Sequence, residues 1–206
     1  MLSRLLPSRL AVRAVALLGL AFLVSACETT PQQTAHPQMS FAQMGTIGIN
    51  VARIEVVNRY QPPLVPPHVD HLFPVTPTAA LTQWAKDRLR ATGSQGVARF
   101  IILDAGVKES ELKKTEGIKG AFTVDQSERY DAGAEAMLEI LDDAGISLKF
   151  TSARVTESRT IAEDATLNER ETLWFSLTED LVKGFDAAIL QQFKSHLQGF
   201  VDPWAK

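Results

Sequence analysis

Two rhythms of hydrophobic and polar positions run along this chain, and the switches between them mark its elements. Ala52, Ile54 and Val56 alternate with Arg53 and Glu55, which predicts a first strand within residues 46–58. Leu81, Trp84, Ala85 and Leu89 then recur at helical spacing, with Lys86, Asp87 and Arg90 turned away. Thr76 suits the N-cap of that helix, Pro77 its first turn and Gly93 its stop. Residues 97–107 predict a second strand, apolar on both faces around Phe100, Ile101, Ile102 and Leu103, and therefore central. Tyr130, Ala132, Ala134, Ala136, Leu138 and Ile140 alternate with Asp131, Glu135 and Glu139, a half-buried strand pattern within residues 122–140. The Ala, Met, Leu and Glu content of residues 134–141 also suits a short helix, but strand is the reading kept. Asp142-Asp143-Ala144-Gly145 reads as a tight turn. Ile146, Leu148 and Phe150, alternating with Lys149 and Thr151, open a strand towards Ile161 that completes a hairpin.

Thr166-Leu167-Asn168-Glu169 fits a capping box ahead of a long helix that runs to about Leu197. One apolar stripe of this helix is Trp174, Leu177, Leu181, Phe185 and Ala188. A second, Ile189, Phe193, Leu197 and Phe200, is rotated from it, and the change falls near Gly184. Either the helix bends there and buries both stripes, or the second stripe is exposed as a partner surface. The order β-α-β-β-β-α predicts an α+β two-layer sandwich: a mostly antiparallel four-stranded sheet with two helices on one face, forming a single domain over residues 46–206. Residues 60–77 hold six prolines (Pro62, Pro63, Pro66, Pro67, Pro74 and Pro77), which predicts a stiff extended loop, either functional or a packed cover. Residues 109–119 read as a charged loop.

The N-terminus follows another pattern. Residues 1–13 carry Arg4, Arg9 and Arg13 without an acidic residue, and residues 14–24 are an apolar run too short to span a bilayer, which takes about 20 residues. Basic residues, a short apolar core and small residues before a cleavage point make residues 1–26 a secretory signal peptide. Val24-Ser25-Ala26-Cys27 resembles the lipobox of bacterial lipoproteins. That resemblance implies that Cys27 is the lipid-attachment residue: its thiol receives a diacylglyceryl group, the signal is cut before it and the new amine is acylated. The alternative is ordinary cleavage after Ala26, leaving Cys27 as a free thiol, an odd feature for an exported chain. Several acyl chains anchor a domain stably where one does not. In enteric bacteria an aspartate after the cysteine is the usual inner-membrane retention signal. Glu28 stands there instead, which implies the outer membrane, with the domain facing the periplasm. Residues 27–45 form the lipidated N-terminus and a polar, proline-containing tether. The element order, with the lipobox, is similar to that of the lipopolysaccharide-assembly lipoprotein and of the auxiliary lipoproteins of ABC-type lipid transporters. It carries over no functional residue.

Charge narrows the partners. The chain has 21 Lys+Arg and 24 Asp+Glu; three of the arginines and none of the acids lie in the signal peptide, so 18 face 24 in the remainder, a net charge of −6. Such a domain is a poor partner for nucleic acid or anionic headgroups. With Cys27 used by the anchor, no cysteine is left for disulfides or thiolate metal sites. His68, Asp70 and His71 are the one cluster of ligand types, but they fall short of the four ligands of a structural zinc and lie on a chain that proline holds extended, so no metal and no cofactor is expected. There is no Gly-x-Ser-x-Gly elbow, His-Glu-x-x-His motif or P-loop. Gly93-Ser94-Gln95-Gly96 precedes a strand rather than the helix that phosphate cradling wants. Asp142, Asp143, Glu163 and Asp164 read as solvated, and Trp84 and Trp174 as core. The expectation is a non-enzymatic, lipid-anchored accessory protein that binds another envelope protein; the alternative is a module that binds a small molecule or lipid between helices and sheet.

Overall fold

The computed structural model describes residues 38–112 and 126–202. The expected signal peptide, Cys27, most of the expected tether and most of the charged loop lie outside the described residues. The strands are β1 (Ile47–Ile49), β2 (Arg53–Asn58), β3 (Leu89–Ala91), β4 (Val97–Asp104), β5 (Val107–Glu111), β6 (Gln126–Leu141), β7 (Ser147–Ala162) and β8 (Val201–Asp202). The helices are α1 (Pro77–Arg88) and α2 (Leu167–His196).

The fold is α+β with two long helices, but the main sheet has five strands and is mixed rather than four-stranded and largely antiparallel. β6 is its spine. β7 pairs antiparallel along one side of β6, while β4 and β5 share the other side, β4 against its C-terminal half and β5 against its N-terminal half. β2 lies parallel to β4, with Val56 opposite Phe100. The parallel pair follows from the β2-α1-β4 crossover, since strands joined through a helix on one face run the same way. The strand expected over residues 97–107 is broken: register slips between Ile102 and Asp104, and β5 resumes three residues later. Gly106 sits at this break because a Cβ there would come within 3.0 Å of the Tyr60 hydroxyl.

The single strand expected over residues 46–58 is two strands in two sheets. Ile49, Asn50 and Val51 make a tight turn in which Val51 N–H donates to Ile49 O at 2.7 Å. β1 then joins a small sheet of order β3-β1-β8, parallel to β3 and antiparallel to β8. The same small sheet ends α1 early. Thr76 caps that helix, its hydroxyl accepting from Ala79 N–H, and Pro77 opens it as expected. The helix stops at Arg88 rather than at Gly93, because Leu89 turns extended and takes Ile47 of β1 as its strand partner.

Residues 134–141 are strand, not helix. Asp142–Gly145 is the expected turn, with Gly145 at φ 81°. α2 begins with both bonds of the capping box: Thr166 Oγ1 accepts from Glu169 N–H, and the Glu169 carboxylate accepts from Thr166 N–H at 2.7 Å. It runs unbroken through Gly184, and Leu181, Phe185, Ile189, Phe193 and Leu197 are all buried. Both stripes are therefore core except for Ala188 and Phe200, which are half-buried. The second is buried in the same cluster as Ile47 and Ile49 of the small sheet. The two helices share the Phe100 face of the main sheet. Trp84 and Phe185 pack edge to face with centroids 5.2 Å apart, and both reach Phe100. Each fully buried side chain of this size contributes about 1.5–3 kcal/mol.

Between the helices lies a buried ion pair. Arg88 Nε and Nη2 donate to Asp186 at 2.8 and 3.3 Å, Trp84 Nε1 donates to the same carboxylate at 2.8 Å, and Arg88 Nη1 donates to the Met44 and Gly45 carbonyls.

Candidate functional site

The face of the main sheet turned away from the helices is mixed: Ile101 is buried on it, Leu148 and Phe150 are exposed on it, and most of the rest is charged. Arg53, Glu55, Arg99 and Glu139 form a ladder across β2, β4 and β6, with Arg99 Nε 3.2 Å from Glu55. Arg99 and Arg53 both donate to Glu55 and hold its carboxyl below the usual range. Where β4 breaks and β5 begins, this face opens into a cleft of about 760 Å³ whose walls include His68, Asp104, Lys108, Arg129, Asp131 and Arg154. Strand register assembles it: Lys108 of β5 stands opposite Asp131 of β6, which stands opposite Ser158 of β7. Arg154 lies 3.5 Å from both Asp104 and Glu135, and Arg129 lies 2.8 Å from Asp131. Exposed pairs of this kind stabilise by no more than about 1 kcal/mol each, so the cleft is a field of exchangeable charges rather than a locked network.

The Pro-rich loop forms one wall of the cleft. It is a packed cover: Val69 N–H donates to Val107 O, Glu109 N–H donates to Pro67 O, and His68 bridges to Lys108 beside β5. Beneath it, Tyr60 Oη, His68 Nδ1 and Asp70 Oδ1 are buried without a hydrogen-bonding partner among the described residues. Burial first, then the nearby Asp70 carboxylate, push the Tyr60 hydroxyl up. The loop does not bring the two histidines together. His68 is half-buried on the cleft wall, Asp70 is buried at the start of a short 3-10 turn, and His71 is exposed. Among the described residues, no group of three or more His, Cys, Asp or Glu is placed to hold a metal ion.

The remaining sequence candidates have structural roles. Asp142 and Asp143 are not merely solvated: Asp142 Oδ1 accepts from Ala144 and Ile146 N–H, and Asp143 Oδ1 accepts from Gly96 N–H at 2.7 Å. Gly93–Gly96 is thus tied to the hairpin. Trp84 and Trp174 are core. Trp174 stacks on Phe73 at 4.8 Å and meets Tyr130 edge to face. Tyr130 donates to Glu128, which also receives Arg170. Arg170, then Tyr130, hold the Glu128 carboxyl below the usual range, and burial, then Glu128, push the Tyr130 hydroxyl up.

The start of β7 carries an apolar surface to which the alternation assigned no face. Ile146, Leu148 and Phe150 lead β7 on the open face of the sheet, 63, 51 and 66 % exposed, while Thr151 and Ala153 take the inward positions. Leu148 also borders a groove of about 390 Å³ with Val51, Leu141 and Phe200. Both parities of this strand hold apolar or β-branched residues, so alternation alone does not choose the face.

No protein-family model matches the chain, and no curated protein matches it. Among solved structures it is similar to a minor lipoprotein from Acinetobacter baumannii, at 12 % identity over 71 % of this chain and 93 % of that one, with a TM-score of 0.36. It is also similar to rare lipoprotein B from Shewanella oneidensis, at 8 % identity over 69 % and 95 %, with a TM-score of 0.35. These are partial likenesses of backbone course, and no role is taken from them.

Proposed function

We propose that the chain is a lipid-anchored cell-envelope lipoprotein that works by surface binding, as a non-enzymatic accessory component of an envelope assembly or transport system at the periplasmic side of the outer membrane. The observation that carries this reading is Val24-Ser25-Ala26-Cys27 at the end of a basic-then-apolar N-terminus. The domain adds support. Trp84, Phe100 and Phe185 fill the space between helices and sheet, where a lipid carrier would need room. The polar cleft and the exposed apolar hairpin lie instead on the helix-free side, open to a protein partner. Among the described residues, no helix is long and apolar enough to cross a membrane.

Replacing Cys27 by Ser is expected to abolish uptake of labelled palmitate and to move the protein from the membrane to the soluble fraction. A variant that stays in the membrane fraction and still takes up label overturns the anchor. Crosslinking from intact membranes, with the anchored protein as bait, tests the accessory role; recovery of no envelope protein after crosslinking across the cleft counts against it.

A further inference from the structure

β7 is the outer strand of the main sheet, and among the described residues it is bonded to β6 alone. Its two halves differ. The C-terminal half is held by its own molecule: Arg159 donates to Asp180 of α2 at 2.7 Å and lies 3.6 Å from Glu157. α2 passes Glu157 at Gly184, and the next residue, Phe185, packs on Phe100 of β4. In the N-terminal half Thr151 and Ala153 are buried on the inward side, while Leu148, Lys149 and Phe150 are exposed.

A 16-residue strand with an open edge is what proteins normally blunt with charges, bulges or covers. On the inward side of this edge, Lys149 and Glu157 are equidistant from Ala153, and the third charge there, Arg159, is taken by Asp180. That spacing matters when the strand meets its own copy. With a twofold axis at Ala153, Lys149 of each molecule faces Glu157 of the other, Thr151 faces Val155, Phe150 faces Thr156 and Ser152 faces Arg154. Opposite charges and β-branched pairs of this kind stabilise an antiparallel ladder, and no like charges stand directly opposed. Moving the axis to Ser152 leaves Lys149 facing Val155, and moving it to Arg154 sets two arginines against each other.

We propose that residues 147–159 of β7 pair antiparallel with the same segment of a second copy of this chain, about a twofold axis at Ala153, so that one continuous sheet spans two molecules. Leu148 and Phe150 then lie beside Ser158 and Thr156 of the second copy and lose much of their exposure.

The test uses the full chain in cells, expressed with two different epitope tags. One version carries Ser152→Cys and the other Arg154→Cys, both exposed positions on the helix-free face. The parent, with Cys27 as its one cysteine, sets the baseline. Mild oxidation is expected to yield a mixed-tag disulfide-linked pair in several-fold excess over the baseline and over an out-of-register mixture of Thr156→Cys with Thr160→Cys. Lys149→Glu or Glu157→Lys alone should lower that yield at least about fivefold, given two lost pairs and two new repulsions. The double change Lys149→Glu/Glu157→Lys should restore it, which a variant that merely fails to fold cannot do. Equal yields in and out of register, no restoration by the double change, or disulfides formed with some other protein in place of the second copy each overturn the proposal.

Discussion

Replacing Asp186 by Ala removes the carboxylate on which both helices converge. In the native protein this carboxylate accepts from Trp84 Nε1 and Arg88 Nε, each at 2.8 Å, and the ion-paired side chains are only 5 and 6 % exposed. The variant leaves a buried guanidinium facing the Met44 and Gly45 carbonyls alone, and an indole N–H with nothing to donate to. Deleting one partner of a buried pair costs about 3–5 kcal/mol, and an orphaned buried donor about 1–3 kcal/mol. The two losses share one site, so they do not add in full, and a total of about 4 kcal/mol is expected. For a domain of this size that corresponds to a fall of roughly 8–16 °C in Tm. Urea unfolding of the Cys27→Ser chain, followed by tryptophan fluorescence, gives the free energy directly. Arg88→Met/Asp186→Leu, which replaces the pair by apolar groups, should recover to within about 1–2 kcal/mol of the parent. A loss below about 1 kcal/mol for Asp186→Ala, or a double variant less stable than either single, would refute the reasoning.

Leu181→Ala and Phe193→Ala should each cost about 2–5 kcal/mol in the same assay, because both side chains are buried; a near-neutral Phe193→Ala would mean that the second stripe of α2 is surface after all. Glu128→Gln should lose about 1–2 kcal/mol at pH 7. Its carboxyl is held below the unfolded value, so its contribution is present above about pH 4.5 and is lost as pH falls through the lowered folded value; parent and variant should converge in acid-unfolding curves, and a constant gap down to pH 2 would contradict the linkage. Gly96 has φ 74° and a Cβ there would stand 2.5 Å from Leu141 O, so Gly96→Ala should cost about 1–3 kcal/mol and speed hydrogen exchange of the Asp142–Gly145 turn; unchanged exchange would disconnect that loop from the hairpin.

What could be read from the chain beforehand was whatever local chemistry decides. The caps at Thr76 and Thr166, the Asp142–Gly145 turn and the alternation of Tyr130 to Ile140 involve neighbours a few residues apart, and each stands where it was expected. The misses all depend on partners remote in sequence. β1 is three residues long and is a strand only because β3 and β8 lie beside it. The end of α1 at Arg88 is decided by Ile47, and the break after β4 by Tyr60 and Gly106. The cleft draws Asp104, Lys108, Arg129 and Arg154 from three strands, so no spacing along the chain announces it. The His68–His71 cluster, conspicuous as text, is divided between the cleft wall and the solvent.

The proline-rich cover gives the sheet a direction of growth. Along β5 the edge is already used by the contacts at Pro67 and Val69, and Pro62, Pro63, Pro66 and Pro67 have no N–H to offer a further strand. At the other end of that side, β2 is short and carries Arg53 and Glu55. Among the described residues of the main sheet, β7 is thereby the long edge left open to strand addition. Fibrils need two sticky edges per unit, whereas a unit with one can only form closed pairs. If the proposed anchor and pairing hold, copies at high local density saturate as pairs rather than polymerise into cross-β aggregates.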